Sequence, residues 1–184
     1  MISRRDQILD AAVRVLGAQG VRAFTHRAVD AEAGAPAGTT SNYFRTRDAL
    51  IDGVVERFAL VERLAWEDIA QQLRPGSPGE LATAIAAYAQ DATGPHRVLT
   101  LARYAIFMEA ALQPRLQQTL AATAAHVRVW MGTWVAGVGV PDPDYAVGVL
   151  MNHMDGMMLH QLAFPDPDFD PGPMLKRVID GLLR

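Results

Sequence analysis

The chain has 184 residues and a mass of 20.0 kDa, which fits one domain of ordinary size or two small ones that share a core. Half of the residues are hydrophobic and a fifth are charged, so extensive disorder is excluded. The absence of cysteine excludes a disulfide scaffold, a thiolate metal site and a cysteine nucleophile. No apolar run approaches the length of a membrane span. The charged first ten residues predict no export signal, and we expect a cytoplasmic protein.

The charge is distributed unevenly along the chain. The formal net charge is −3, but residues 1–50 contain seven arginines against five acidic residues, while the remainder contains ten basic and fifteen acidic residues. The average charge argues against a nucleic-acid partner, and the basic first quarter is where such a partner would be accommodated.

Apolar residues recur at helical spacing between proline and glycine breaks, and the alternation typical of strands is never sustained. The sequence therefore predicts an all-α fold of nine helices. The first four are expected at Ser3–Gly17, Thr25–Ala33, Pro36–Tyr43 and Arg47–Leu73. The other five are expected at about 77–91, 93–112, 114–138, 142–164 and 174–183.

Several residues predict where these helices begin and end. Ser3, Thr25 and Ser77 have hydroxyls suited to capping a helix N-terminus, and Thr46 precedes the fourth helix in the same way. Pro36 suits a first helical turn, and Gly34 suits a left-handed helix end.

The second and third helices are predicted to form a helix-turn-helix. Residues 37–43 read Ala-Gly-Thr-Thr-Ser-Asn-Tyr, rich in hydroxyls and amide and poor in large aliphatic side chains. A recognition helix needs small, hydrogen-bonding side chains to approach base edges in the major groove. The alternative is an ordinary surface turn rich in glycine, threonine and serine.

The first 50 residues resemble the DNA-binding domain of TetR-type transcriptional regulators. The matching motifs occur in the same order and spacing: Ile8-Leu9-Asp10-Ala11-Ala12, Gly20, Phe24-Thr25, Ala33-Gly34, Gly38-Thr39, Asn42-Tyr43-Phe44 and Arg47-Asp48-Ala49-Leu50. The chain departs from the family pattern at Pro36, where a hydroxyl cap is common, and at Thr40 and Ser41, where bulkier residues are common. The base preference is therefore not carried over.

The resemblance implies a helix-turn-helix domain at 1–46 and an effector-binding and dimerisation domain of six helices at 47–184. Hydroxyl and guanidinium groups suited to phosphate belong to Thr25, Tyr43, Arg45 and Arg47. Candidates for base edges are Arg27, Thr39, Thr40, Ser41 and Asn42. Arg27 could instead be a solvated surface residue, and Tyr43 could pack on the first helix. Phe24 and Phe44 are assigned to the core.

No enzyme, cofactor or metal site is predicted. His153 and His160 would lie about 10.5 Å apart along a helix, too far for one metal ion, and no glutamate completes a metalloprotease pattern. We interpret these histidines as polar residues at a helix–helix interface.

The penultimate helix is apolar on more than one face, so it must be covered on more than one side. The resemblance favours a homodimer through the last two helices, and the alternative is a central helix in a monomer. The predicted interface residues are Tyr145, Met151, Met154, Met158, Leu162, Leu175, Ile179 and Leu182.

Aromatic and methionine residues of the middle helices suit the walls of an apolar pocket, although such stripes are usually core. The predicted ligand-binding set adds a few polar residues that could orient an effector. It comprises Trp66, Tyr88, Tyr104, Phe107, Met108, Glu109, His126, Trp130, Trp134, Asn152 and Asp155.

Together these features predict a repressor that binds a palindromic, double-stranded DNA operator as a homodimer and is released by a small, mainly apolar effector. The alternative is a helical small-molecule-binding or interaction protein that no longer binds DNA.

Overall fold

Helices form the framework of the computed structural model, which describes residues 3–72 and 74–184, without the side chains of 65, 66, 70–72 and 123. These ranges contain nine helices and no strand, and the prediction of an all-α fold is confirmed. The helices are α1 (Arg4–Ala23), α2 (His26–Glu32), α3 (Thr39–Tyr43), α4 (Arg47–Gln72), α5 (Pro78–Thr93), α6 (Arg97–Leu112), α7 (Pro114–Gly137), α8 (Pro143–Ala163) and α9 (Gly172–Leu182).

The chain divides into two compact units. Unit 1 contains the chain up to Glu62 together with Val98–Thr123, and unit 2 contains Arg63–Arg97 and Ala124–Arg184. Unit 1 thus adds the start of α4, most of α6 and the start of α7 to the helices α1–α3. The division of domains at residues 46 and 47 stays a prediction.

Four predicted capping residues begin their helices as expected. Ser3 accepts from the N–H of the third residue beyond it at 3.1 Å, Thr25 at 3.2 Å, Thr46 at 3.0 Å and Ser77 at 3.3 Å. Each side-chain oxygen satisfies a backbone donor that has no partner within the helix.

The predicted end of the first helix at Gly17 is wrong. A Cβ atom on Gly17 would lie 2.0 Å from the carbonyl oxygen of Val98, so this glycine lets α1 approach α6 closely instead of ending the helix. The break comes three residues later at Gly20, with φ +75° and ψ 178°, a conformation that favours glycine. The helix then resumes up to Ala23.

The third helix begins later than predicted. Gly38 has φ +89° and stands before the first helical residue, Thr39. Pro36 lies in the preceding turn, where its carbonyl accepts from the N–H of Thr39 at 3.1 Å. Helix α3 is therefore only five residues long.

Each unit has a buried apolar interior. In unit 1, residues of α1, α4, α6 and α7 surround Phe24 and Phe44, which are 2% and 5% exposed; their assignment to the core is confirmed. In unit 2, α5 packs against α8 and α9.

This packing corrects part of the predicted dimer interface. Five of its residues are at most 6% exposed within a single chain, so they belong to the core of unit 2 and are not available to a partner. They are Met154, Met158, Leu162, Leu175 and Ile179. Tyr145 is exposed, and Met151 and Leu182 are half-buried.

Candidate functional site

Helices α2 and α3 pack against each other in unit 1, and two glycines shape the turn between them. Gly34 has φ +56° and Gly38 has φ +89°. The predicted left-handed end at Gly34 is confirmed. Between these glycines the chain reverses and starts α3 in a new direction, as a helix-turn-helix requires.

Asp30 lies beneath the start of α3, and its side chain is buried with the residue only 4% exposed. Its carboxylate accepts from the N–H of Gly38 at 2.8 Å, from the N–H of Thr40 at 2.7 Å and from the Thr40 hydroxyl at 2.5 Å. Burial raises the pKa of Asp30, but the hydrogen bonds from Thr40 and Gly38 outweigh it and hold the pKa below its usual value. An ionised aspartate of α2 therefore caps α3.

Thr40 is not a base contact, contrary to the prediction. It is 0% exposed, and its hydroxyl is directed into unit 1 towards Asp30. A side chain in this position holds the recognition helix and cannot meet a base edge.

His26 contacts the other end of α3. Its Nε2 lies 2.7 Å from the carbonyl oxygen of Phe44, the residue that follows the last turn of α3. Because a carbonyl only accepts, the imidazole nitrogen donates. His26 and Asp30 stand one helical turn apart on α2 and so reach opposite ends of the short helix.

The other predicted DNA contacts remain accessible on unit 1. Thr39 is half-buried, and its hydroxyl donates to the Pro36 carbonyl at 2.6 Å. The exposed residues are Thr25, Arg27, Ser41, Asn42, Tyr43, Arg45 and Arg47.

Acidic and basic side chains surround the start of α4. Arg47 lies 3.9 Å from a carboxylate oxygen of Glu109 on α6. Arg115, in the first turn of α7, pairs with Asp48 at 3.5 Å and also with Asp52. These contacts join the first two turns of α4 to the region where α6 ends and α7 begins, all within unit 1.

The predicted ligand-binding residues are divided between the two units. Tyr104, Phe107, Met108 and Glu109 belong to unit 1, where Met108 is 67% exposed. Tyr88, His126, Trp130, Trp134, Asn152 and Asp155 belong to unit 2, and the side chain of Trp66 lies outside the described residues.

Trp130 and Trp134 line a cavity of about 370 Å³ together with Arg74, Pro75 and Thr133. The two indole rings are tilted against each other with centroids 4.3 Å apart. The two rings give this cavity of unit 2 an aromatic wall.

A second cavity of about 470 Å³ lies where α8, the following loop and α9 meet. Its lining includes Asn152, His153, His160, Phe164 and Met174. No group of acidic, histidine or cysteine side chains in the described ranges could hold a metal ion. No helix among the described residues is long and apolar enough to cross a membrane.

Two family models match the chain. The model described as bacterial regulatory proteins, tetR family, matches residues 8–54, and the model described as tetracyclin repressor-like, C-terminal domain, matches residues 76–184. The chain belongs to the TetR family. It is a transcriptional regulator of that family, with a helix-turn-helix at its N-terminal end.

Solved structures have the same fold. A transcriptional regulator from Rhodococcus sp. Rha1 is 21% identical, with 98% of this chain and 94% of that chain covered and a TM-score of 0.77. A TetR-family member from Streptomyces coelicolor A3 is 25% identical over 100% and 99% of the two chains, with a TM-score of 0.71. The multidrug binding protein EbrR complexed with ethidium is 25% identical over 99% of both chains, with a TM-score of 0.70. No curated protein matches the chain.

Sequence reasoning about this TetR-family chain missed Asp30 and His26. Both stand on α2, where only Arg27 was predicted to contact bases. A signal was available, because Thr40 occupies a position where the family commonly has a bulky residue. A polar residue at a core position needs a buried partner, and i,i+4 spacing places Asp30 beside His26 on α2.

Proposed function

We propose that this TetR-family regulator represses transcription by binding an inverted-repeat DNA operator as a homodimer, and that a small, mainly apolar effector releases it. The observation that carries the proposal is the exposed, hydrogen-bonding surface of α3, held from beneath by Asp30. A helix in this arrangement can enter a major groove without exposing apolar side chains.

The contacts divide by chemistry. Thr25, Tyr43, Arg45 and Arg47 would meet phosphate oxygens, which carry no sequence information. Ser41 and Asn42 are exposed on α3 and would read base edges, with Arg27 and Thr39 beside them. An asparagine that pairs with adenine through two hydrogen bonds would make the most selective of these contacts.

The homodimer would form through an exposed stripe on α8. Tyr145, Asn152, Gly156, Leu159 and Ala163 recur at three- to four-residue and seven-residue spacings and are all exposed, so they lie on one side of the helix. Tyr145 is 65% exposed and Leu159 is 48% exposed, an apolar surface that a second copy would cover. Half-buried Met151 on α8 and Leu182 on α9 would complete this interface.

The effector would bind in the cavity of Trp130 and Trp134. The larger cavity is a poorer choice, because its Asn152 and Gly156 belong to the face assigned to the dimer. Two tilted indole rings can contact a flat apolar molecule on its face or edge. The likeness to EbrR, which is a multidrug binding protein with structures complexed with ethidium and proflavin, supports a small aromatic ligand.

Release from DNA would be a population shift. An effector that binds more tightly when the two recognition helices are wrongly spaced for DNA lowers the occupancy of the operator. Helices α4 and α7 both begin in unit 1 and end in unit 2. Because α4 directly follows the helix-turn-helix, it is the element through which an effector would act.

Selection of bound sites from random duplex DNA tests the proposal. We expect an inverted repeat whose half-sites are about 34–36 Å apart, one turn of B-DNA, or a multiple of it. Asn42→Ala should weaken operator binding by about 1–3 kcal/mol and relax the preference at one base pair in each half-site. Tyr43→Phe, a matched control on α3, should weaken operator and random DNA by the same factor. A folded chain that selects no sequence would favour a small-molecule-binding protein instead.

Tryptophan emission tests the effector site independently. A panel of flat apolar compounds should contain members that change the emission of the wild-type chain and release DNA. Trp134→Phe should reduce the affinity for them and leave DNA binding intact. Compounds that release DNA equally well from this variant would place the effector site elsewhere.

A further inference from the structure

The recognition helix is too short to hold its own shape. It has five residues, whereas isolated helices below about 12–15 residues are only marginally stable in water. Its N-cap, Gly38, has no side chain to cap it. Contacts from outside α3 must therefore fix where its side chains point.

We infer that Asp30 and His26 are positioning residues for DNA reading, because they fix the two ends of α3 from one face of α2. We call them the α3 anchors. The inference rests on the proposed function, since it concerns how α3 meets DNA. Neither residue touches DNA in this account; each acts through the backbone of the helix that does.

Asp30 fixes the start of α3 in two ways. It binds the N–H groups of Gly38 and Thr40, which determines the position of the first turn along the helix axis. It also binds the Thr40 hydroxyl, which determines the rotation of α3 about that axis. Rotation matters because Ser41 and Asn42 are the next residues along the helix, each turned by about 100° from the one before.

His26 fixes the end. Its hydrogen bond to the Phe44 carbonyl, at 2.7 Å, acts where Phe44 enters the core of unit 1. Both ends of α3 are thus bonded to α2. A tilt of α3 would break a hydrogen bond of a buried or half-buried group, which costs free energy.

The anchors also explain why residues 40–42 separate into two roles. The Thr40 side chain is buried and bonds Asp30. The side chains of α3 that can read bases are therefore those of Ser41 and Asn42, together with Thr39 at the start of the helix. The departure from the family pattern at Thr40 therefore changes how α3 is held. A hydrogen bond to the buried Asp30 of α2 holds it here.

The test compares the operator-over-random affinity ratio of full-length variants at a temperature where circular dichroism shows each to be folded. We expect Asp30→Ala and His26→Ala to lower this ratio at least about fivefold. A displaced α3 loses base contacts that only the operator provides, whereas the phosphate contacts are common to both DNAs. His26→Gln keeps a donor at a comparable position and should restore most of the ratio.

A matched control separates positioning from general stability. Asp10→Ala removes an aspartate of unit 1 that bonds Arg57 of α4 at 2.6 and 2.9 Å; it should lower the melting temperature and leave the ratio unchanged. Thr40→Val removes the buried hydroxyl that bonds Asp30 and should lower the ratio.

The inference is wrong if both alanine variants keep the wild-type ratio, or if Asp10→Ala lowers it as much. Where Asp30→Ala does not fold, Thr40→Val decides, since it leaves both backbone bonds to Asp30. Amide hydrogen exchange gives a reading without DNA: Gly38 and Thr40 should exchange faster in Thr40→Val while amides of α1 stay protected. If the wild-type chain binds no duplex, the proposed function fails, and the anchors are then judged by this exchange alone.

Discussion

The two compact units of this TetR-family chain hold their helices together by different means. In unit 1, charged side chains join separate helices: Arg57 of α4 bonds Asp10 of α1, Arg14 of α1 bonds Glu32 of α2, and Arg115 of α7 pairs with two aspartates of α4. In unit 2, α5 packs against α8 and α9, and these helices bury alanine, leucine and methionine side chains. The ion pairs Arg63–Glu67 and Lys176–Asp180 stay within one helix, while Arg97 and Arg128 donate to backbone carbonyls of α8 at 3.4 Å.

The difference is one of precision. Hydrogen bonds and ion pairs depend on direction and fix distances to a few tenths of an ångström, while apolar contact is non-directional and methionine adapts to irregular spaces. In the proposed function, unit 1 presents a five-residue helix to base edges, and unit 2 accommodates a ligand and a partner surface. Each means of packing suits the task proposed for its unit.

The largest expected effect tests the apolar unit. Met158→Glu should bury a charge without a partner, because Met158 is 0% exposed, and should cost at least about 3 kcal/mol of the free energy of unfolding. Urea unfolding followed by circular dichroism measures this loss.

The neighbouring residue provides the control. Leu159→Glu changes an exposed position, so the variant should stay folded and run as a monomer in light scattering. A folded dimer from both variants would contradict the burial of Met158 and the assignment of the dimer face to α8.

The same substitution in each unit sharpens the comparison. Gly17→Ala should destabilise the chain by about 1–3 kcal/mol, because its Cβ would overlap the Val98 carbonyl at 2.0 Å and backbone cannot move aside cheaply. Gly132→Ala on α7 should stabilise it by about 0.5–1 kcal/mol, since nothing lies within 4 Å of the added Cβ. Thermal unfolding of both variants gives the sign of each change in stability. Changes of the same sign would contradict the close approach at Gly17.

These glycines also mark what the sequence could and could not predict. Periodicity and capping residues predicted the helices and most of their starts, because both are local properties. Gly17 looked like a helix end, and only its approach to Val98, 81 positions along the chain, explains why α1 continues. In the same way, periodicity predicted that α8 is covered on more than one side, which stays a prediction, and it could not distinguish the side covered by its own chain from the exposed one.

The recognition helix illustrates the same limit. The sequence predicted a helix-turn-helix and named the exposed residues Ser41 and Asn42, yet it placed Thr40 among them. Burial of Thr40 follows from its pairing with Asp30, ten residues earlier, which composition and spacing within α3 do not reveal.

Acid should loosen unit 1 through Asp30. Burial raises its pKa, but the hydrogen bonds from Thr40 and Gly38 lower it further, so the pKa in the folded state lies below the unfolded value. Its contribution to stability is therefore complete above the unfolded-state pKa and is lost as the pH falls through the folded-state pKa.

The free energy of unfolding measured at a series of pH values checks this sign. The free energy of unfolding of the wild type should exceed that of Asp30→Asn by the largest amount near neutral pH. The difference should shrink below about pH 5. A difference that grows on acidification would contradict an ionised Asp30 beneath α3.

The smallest expected effect concerns a polar contact of unit 1 that competes with DNA. Glu109 lies 3.9 Å from Arg47, and a phosphate at Arg47 would have to replace or share that carboxylate. Glu109→Gln removes the negative charge and keeps the shape, so DNA affinity should rise about two- to fivefold at low salt, and the gain should shrink as salt screens the charges. In an Arg47→Ala background the same substitution should not change the DNA affinity, because the competing pair no longer exists.

Glu67→Gln, whose partner Arg63 lies on the same helix, controls for the change in net charge. An equal gain from Glu67→Gln, or a gain that persists without Arg47, would show that charge at a distance controls DNA binding and that Arg47 is not a phosphate contact.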